Sequence, residues 1–64
     1  MCQVSLFVSK GSTEELIKEN ITQLELIEGG VRVKTLFEGI AEMANTTLKH
    51  IDFSAGKILL ETQE

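Results

Sequence analysis

The stretch Leu24-Glu25-Leu26-Ile27-Glu28-Gly29-Gly30-Val31-Arg32-Val33-Lys34-Thr35 decides the fold. In its second half Val31, Val33 and Thr35 alternate with Arg32 and Lys34, the period-two pattern of a half-buried strand with its basic residues turned to water. In its first half Leu24 and Leu26 alternate with Glu25. Between the halves, Gly29-Gly30 supplies positive φ without steric cost, which both central positions of a two-residue hairpin turn favour. The pattern predicts a hairpin pairing residues 23–28 with residues 31–36 around a Gly29-Gly30 turn.

Towards the N-terminus the signal is mixed. Ser12 followed by Glu15 resembles a helix capping box, and Leu16, Ile17, Ile21 and Leu24 fall near helical spacing. Asn20 interrupts that stripe, and two short strands at 14–18 and 21–27 satisfy the alternation better. Lys10-Gly11-Ser12 reads as a turn. Before it, Cys2, Val4, Leu6 and Val8 share one side of an extended segment, with Gln3, Ser5, Phe7 and Ser9 on the other. This strand carries Cys2 in line with its core face.

Towards the C-terminus, Leu36-Phe37-Glu38-Gly39 breaks the alternation and reads as a corner of the sheet. Residues 40–47 stay open between a strand and a short helix, because Ile40, Met43 and Ala44 also match a helical stripe. Residues 48–53 alternate on Ile51 and Phe53, Ser54-Ala55-Gly56 is a turn, and 57–61 form a last strand. Thr62-Gln63-Glu64 reads as a solvated tail. Short strands, glycine-containing turns and no proline describe an all-β fold, a small antiparallel barrel or sandwich, in a single domain over residues 1–64.

A chain of 64 residues buries only about 60% of the surface that its unfolded form exposes. Chains of this size often gain stability from a metal or a partner subunit. With 42% apolar residues and three phenylalanines as its only aromatics, the expected core is compact and aliphatic. Ten acidic and six basic residues give a net charge of -4. Polyanion binding draws on clustered Lys and Arg, and here only Arg32 and Lys34 form a local pair. Nucleic acid and anionic membranes are therefore disfavoured partners. The N-terminus lacks a basic, then apolar, secretory pattern, and no apolar run approaches the ~20 residues of a membrane span. The expected location is the cytoplasm, so the triplets Asn20-Ile21-Thr22 and Asn45-Thr46-Thr47 are read as chance matches to the glycosylation pattern.

The sequence contains no Cys-x-x-Cys, no His-Glu-x-x-His, no phosphate-binding glycine loop and no second histidine beside His50. A non-enzyme is expected. Cys2 is the one residue of chemical interest. As the only cysteine, it can complete a disulfide or a metal site only with a second copy of the chain, which points to a symmetric homodimer. Removal of an initiator Met before a small residue would leave Cys2 with a free α-amine. Its thiol and amine, with reference pKa values of about 8.5 and about 8, can both yield protons to a divalent metal. While Met1 is retained, the amine belongs to Met1 and the thiolate is the donor that remains. Thiolate with nitrogen donors suits nickel, copper, zinc and cobalt alike. Three alternatives stay open on the residues alone: a shared metal, a thiol redox pair, and an incidental Cys2 in a small RNA-binding or protein-interaction module using Arg32, Lys34 and Lys49. His50 reads as an ordinary strand residue, and Asp52 and the glutamates as solvated faces.

Met1-Cys2 at the head of an alternating strand, Leu24 to Gly30, Val31 to Phe37, and the closing Ile51-Asp52-Phe53-Ser54-Ala55-Gly56-Lys57-Ile58-Leu59-Leu60-Glu61 together resemble the CooT family of small nickel-binding proteins. The likeness is nearly full length and is weakest over residues 40–47. It implies a homodimer of small SH3-like barrels in which the Cys2 residues of two protomers bind one nickel ion between them. It further implies a metallochaperone or nickel store that supports maturation of a nickel enzyme such as carbon monoxide dehydrogenase. Cys2 is the only functional residue that carries over.

Overall fold

The computed structural model describes residues 3–62. Met1, Cys2, Gln63 and Glu64 lie outside them, and with them the expected placement of Cys2 on the core face and the end of the tail. Within the described residues the chain is all β: β1 (Ser5–Lys10), β2 (Thr13–Lys18), β3 (Ile21–Ile27), β4 (Gly30–Thr35), β5 (Gly39–Ala44), β6 (Thr46–Asp52) and β7 (Lys57–Thr62). Residues 13–18 and 39–44 are strands, so neither helical stripe is used. Of the stripe residues, Ile21 enters a two-sheet core and Ile17, Leu24 and Met43 lie at its margin, whereas Leu16 and Ile40 are exposed.

The strands form two sheets, a four-stranded one in the order β2-β1-β7-β6 and a three-stranded one in the order β3-β4-β5. Two features depart from the expected antiparallel barrel. First, β1 and β7 pair in parallel, Leu6 opposite Ile58 and Val8 opposite Leu60. A parallel pair needs a long crossover, and the whole intervening chain provides one. β7 lies inside its sheet, between β1 and β6, and its run Ile58-Leu59-Leu60 is buried at all three positions. On the outer face Lys57 lies over Phe7, its Nζ 5.0 Å from the ring centre, and reaches Glu14 of the edge strand β2. Second, β3 and β6 are both sheet edges with no ladder joining them, so the described strands stand as two layers along that seam.

The core between the layers is Leu6, Val8, Ile58 and Leu60 from one sheet and Ile21, Val31 and Val33 from the other. Leu6, Val31 and Leu60 are completely buried, each worth about 1.5–3 kcal/mol of transfer free energy. The predicted alternation holds at both decisive strands: Val31, Val33 and Thr35 are buried while Lys34 is exposed and Arg32 half-buried, and Leu6 and Val8 are buried in β1.

The hairpin turn is shifted by one residue from the prediction. Ile27 pairs with Gly30 and Leu26 with Val31, so the central residues are Glu28 and Gly29. Gly29 alone takes positive φ, at 79°. Gly30 is a strand residue whose missing side chain is the point: a Cβ there would sit 2.0 Å from the Met43 carbonyl oxygen. One glycine serves the turn and the other serves the β4–β5 approach.

Nor does Leu36-Phe37-Glu38-Gly39 turn a corner between sheets. It closes a hairpin within one sheet, Thr35 opposite Gly39. The chain changes sheet at Asn20 and Asn45, both in the left-handed region with φ of 59° and 58°. Asparagine tolerates that conformation better than other non-glycine residues. Backbone bonds brace each corner, from Leu36 N to Asn20 O at 2.9 Å and from Asn45 N to Gly29 O at 2.7 Å.

Candidate metal centre at the start of β1

Gln3 and Val4 are the described residues that follow Cys2, and the chain there is tied to two other segments. The Ile21 N–H donates to the Val4 carbonyl at 2.9 Å, and the Ser5 N–H donates to the Gly56 carbonyl at 2.8 Å. The β2–β3 corner and the β6–β7 turn thus hold the first residues of β1 from both sides. Gly56 lies so close that a Cβ would stand 2.3 Å from the Gln3 carbonyl oxygen, and its own φ is +66°.

The β6–β7 turn owes its shape to Asp52. Its Oδ1 accepts from the Ser54 hydroxyl at 2.8 Å and from the backbone N–H groups of Ser54 and Ala55, each at 3.1 Å. This is a side-chain-closed turn of the kind that Asp forms readily. The Ser54 hydroxyl and then the Ala55 N–H hold the Asp52 carboxyl below the usual aspartate range. Asp52, expected on a solvated face, instead builds the turn whose last residue clamps β1.

Two depressions flank this point. One, of about 440 Å³, has Leu24, Ile51, Phe53 and Ile58 in its walls. The other, of about 220 Å³, has Gln3, Asn20, Leu36 and Phe37. They share Val4, Ile21 and Thr22. Phe53 and Phe37 are 85% and 79% exposed, far more than an aromatic ring of a single-chain core. A separate depression of about 480 Å³, between Leu26 and Leu48, lies at the other end of β3.

His50 does not join the start of β1. It sits on edge strand β6 opposite Leu59, which is itself opposite Phe7, so β7 separates it from β1. Arg32 is engaged by Glu42, at 2.8 Å from Nε, and by Glu25, at 3.1 Å from Nη1. Those two carboxylates, Glu42 foremost, raise the guanidinium above its ordinary pKa. A phosphate would have to displace them. Lys49 belongs to the other sheet. Among the described residues no group of three or more His, Cys, Asp or Glu could hold a metal ion, and no helix is long and apolar enough to cross a membrane.

Sequence reasoning reached Cys2 but missed Gly56, Asp52 and the flanking phenylalanines as parts of this region. The turn chemistry of residues 52–56 was visible locally. Its contact with Gln3 depends on pairing between the two ends of the chain.

Comparison with known proteins follows the same lines. No curated protein matches the chain. The crystal structure of a protein assigned as CooT from Carboxydothermus hydrogenoformans superposes with a TM-score of 0.85 at 27% identity, over 98% of this chain and 100% of that one. The model of the family described as CO dehydrogenase accessory protein CooT matches residues 1–61. With that match over nearly its whole length, the chain belongs to the CooT family of carbon monoxide dehydrogenase accessory proteins.

Proposed function

We propose that the protein binds one nickel(II) ion between two protomers through their Cys2 thiolates, and carries or stores that ion for maturation of carbon monoxide dehydrogenase or another nickel enzyme. Nickel is cargo here, taken up and given away. The observation that carries this reading is the anchoring of Gln3, Val4 and Ser5 by Ile21 and Gly56. A clamped segment of Gln3 to Ser5 lowers the ordering cost of assembling a two-chain site beside it. Membership of an accessory-protein family supports the maturation role.

A thiolate is a strong donor for a late divalent metal, and two from symmetric chains leave open coordination positions for nitrogen donors or a recipient's ligand. A site that closes only when two subunits meet can also release its ion without any internal cage having to open. Titration of nickel into wild type and Cys2→Ala tests the proposal. One ion per two chains is expected for wild type and none for the variant; unchanged binding by Cys2→Ala would refute it.

A further inference from the structure

We infer that the free edge of β3 from Gln23 to Ile27, with the depression beside it, accepts an extended segment of a partner protein in which apolar residues alternate with basic ones. The inference deepens the maturation reading, on which it rests only for the expectation that a recipient protein must dock. Its place and chemistry come from other observations. Over Gln23 to Ile27, β3 follows β4 in unbroken register, so its backbone presents a regular row of polar groups on the side away from β4. No proline, lysine or bulge blunts that row. Across the seam, by contrast, β6 carries Lys49 and its register is broken between Leu48 and His50. Beside the end of the β3 edge lies the depression of about 480 Å³, with Leu26, Ile27, Val31 and Leu48 in its walls. Leu26 pairs with the completely buried Val31 yet is itself 65% exposed. A strand laid along this edge would cover Leu26 and continue the ladder.

Charge selects the occupant. The strand that β3 already accepts on its other side is β4, where Val31 and Val33 alternate with Arg32 and Lys34, and Arg32 engages Glu25. On the free side, Glu28 stands exposed in the turn at the end of the edge, with no ion-pair partner among the described residues. The described walls of the depression hold no charged side chain, and the chain carries -4. Apolar side chains of an incoming strand would therefore meet Leu26 and Leu48, and its basic side chains would meet the unpaired Glu28. A second copy of the chain offers no such strand. Its alternating apolar and basic strand is β4, already paired on both sides. Its free edges β2 and β5 would bring Glu14, Glu15 or Glu42, and β6 is bulged.

The probe is a synthetic peptide alternating valine with arginine, added to isotope-labelled, metal-free, reduced full-length protein. Amide chemical shifts report both the affinity and the place of binding. Saturable shifts are expected at Leu26, Ile27, Gly29 and Leu48, with affinity at least about tenfold lower when glutamate replaces arginine in the peptide. A peptide N-methylated along one edge keeps the charge and the apolar groups but cannot form the ladder, and should not bind. Glu28→Lys and Leu26→Ser change exposed side chains, and the spectra confirm that they fold; each should weaken binding about threefold or more. Phe37→Ser, at the opposite end of β3, should leave it unchanged. No saturable binding, shifts centred elsewhere, or equal binding of the glutamate or N-methylated peptide overturns the inference. The same shifts produced by raising protein concentration alone would assign the edge to a second copy and overturn it too. Nickel titration of the same samples separates the two readings. Peptide binding without nickel binding leaves the docking edge standing and removes the shared-metal site, and nickel binding without peptide binding does the reverse.

Discussion

The Ser5 N–H donates to the Gly56 carbonyl at 2.8 Å, so the turn before the last strand holds the beginning of the first. The β6–β7 turn and the start of β1 are thus joined three residues after Cys2. On the proposed reading, stability of that turn and metal binding at the N-terminus are linked.

Gly56→Ala tests the link. A Cβ 2.3 Å from the Gln3 carbonyl oxygen, at a φ of +66°, forces backbone to move. Urea unfolding should show a loss of roughly 1–3 kcal/mol. Nickel affinity should also fall under conditions where the variant remains folded. Wild-type affinity in a folded Gly56→Ala would mean that the clamp does not matter to the site.

The two glycines of the hairpin should respond differently. Gly30→Ala drives a methyl group into the Met43 backbone and should cost about 3 kcal/mol, the upper part of the range for overpacking. Gly29→Ala meets open space and only its positive φ opposes it, a cost of about 1–2 kcal/mol. Equal shifts in urea midpoint would contradict the observed register.

Asp52 sets an acid limit. Its folded-state pKa lies below the ordinary value because Ser54 and Ala55 donate to the carboxylate. The resulting stabilisation is complete above the unfolded pKa of about 3.9 and disappears as pH falls through the lower folded value. Asp52→Ala should thus be less stable than wild type at neutral pH, with the gap closing in strong acid. A gap independent of pH would exclude the ionised turn as its source.

Nickel affinity should fall as pH drops below about 7, because protons compete for the thiolates. Isothermal titration across that range gives the dependence directly. A flat profile would point to donors other than thiol and amine.

The Arg32 pairs bear on the RNA-binding alternative. With Glu25 and Glu42 both on its guanidinium, wild type should bind RNA weakly at low salt. The double variant Glu25→Gln with Glu42→Gln should bind more tightly and lose that gain as salt rises. Strong, salt-sensitive binding by wild type would revive the module reading.

What the sequence alone determined is local. Alternation in Val31 to Thr35 and in Val4 to Val8 placed the core faces, because side chains of an extended chain point to opposite sides whatever lies beyond them. The count of one cysteine demanded a second chain for any shared-sulfur chemistry. Tertiary structure decided the rest. Gly30 is a strand glycine because Met43 arrives against it, and residues 39–44 are extended because β4 offers them a ladder. Corners fall at Asn20 and Asn45 because that is where the chain must leave one layer for the other. Phe53 continues the alternation of Ile51 in the sequence, yet the turn carries it outside, as the β4–β5 turn does Phe37. Periodicity reports which way a side chain points; only the meeting of distant strands settles what it faces.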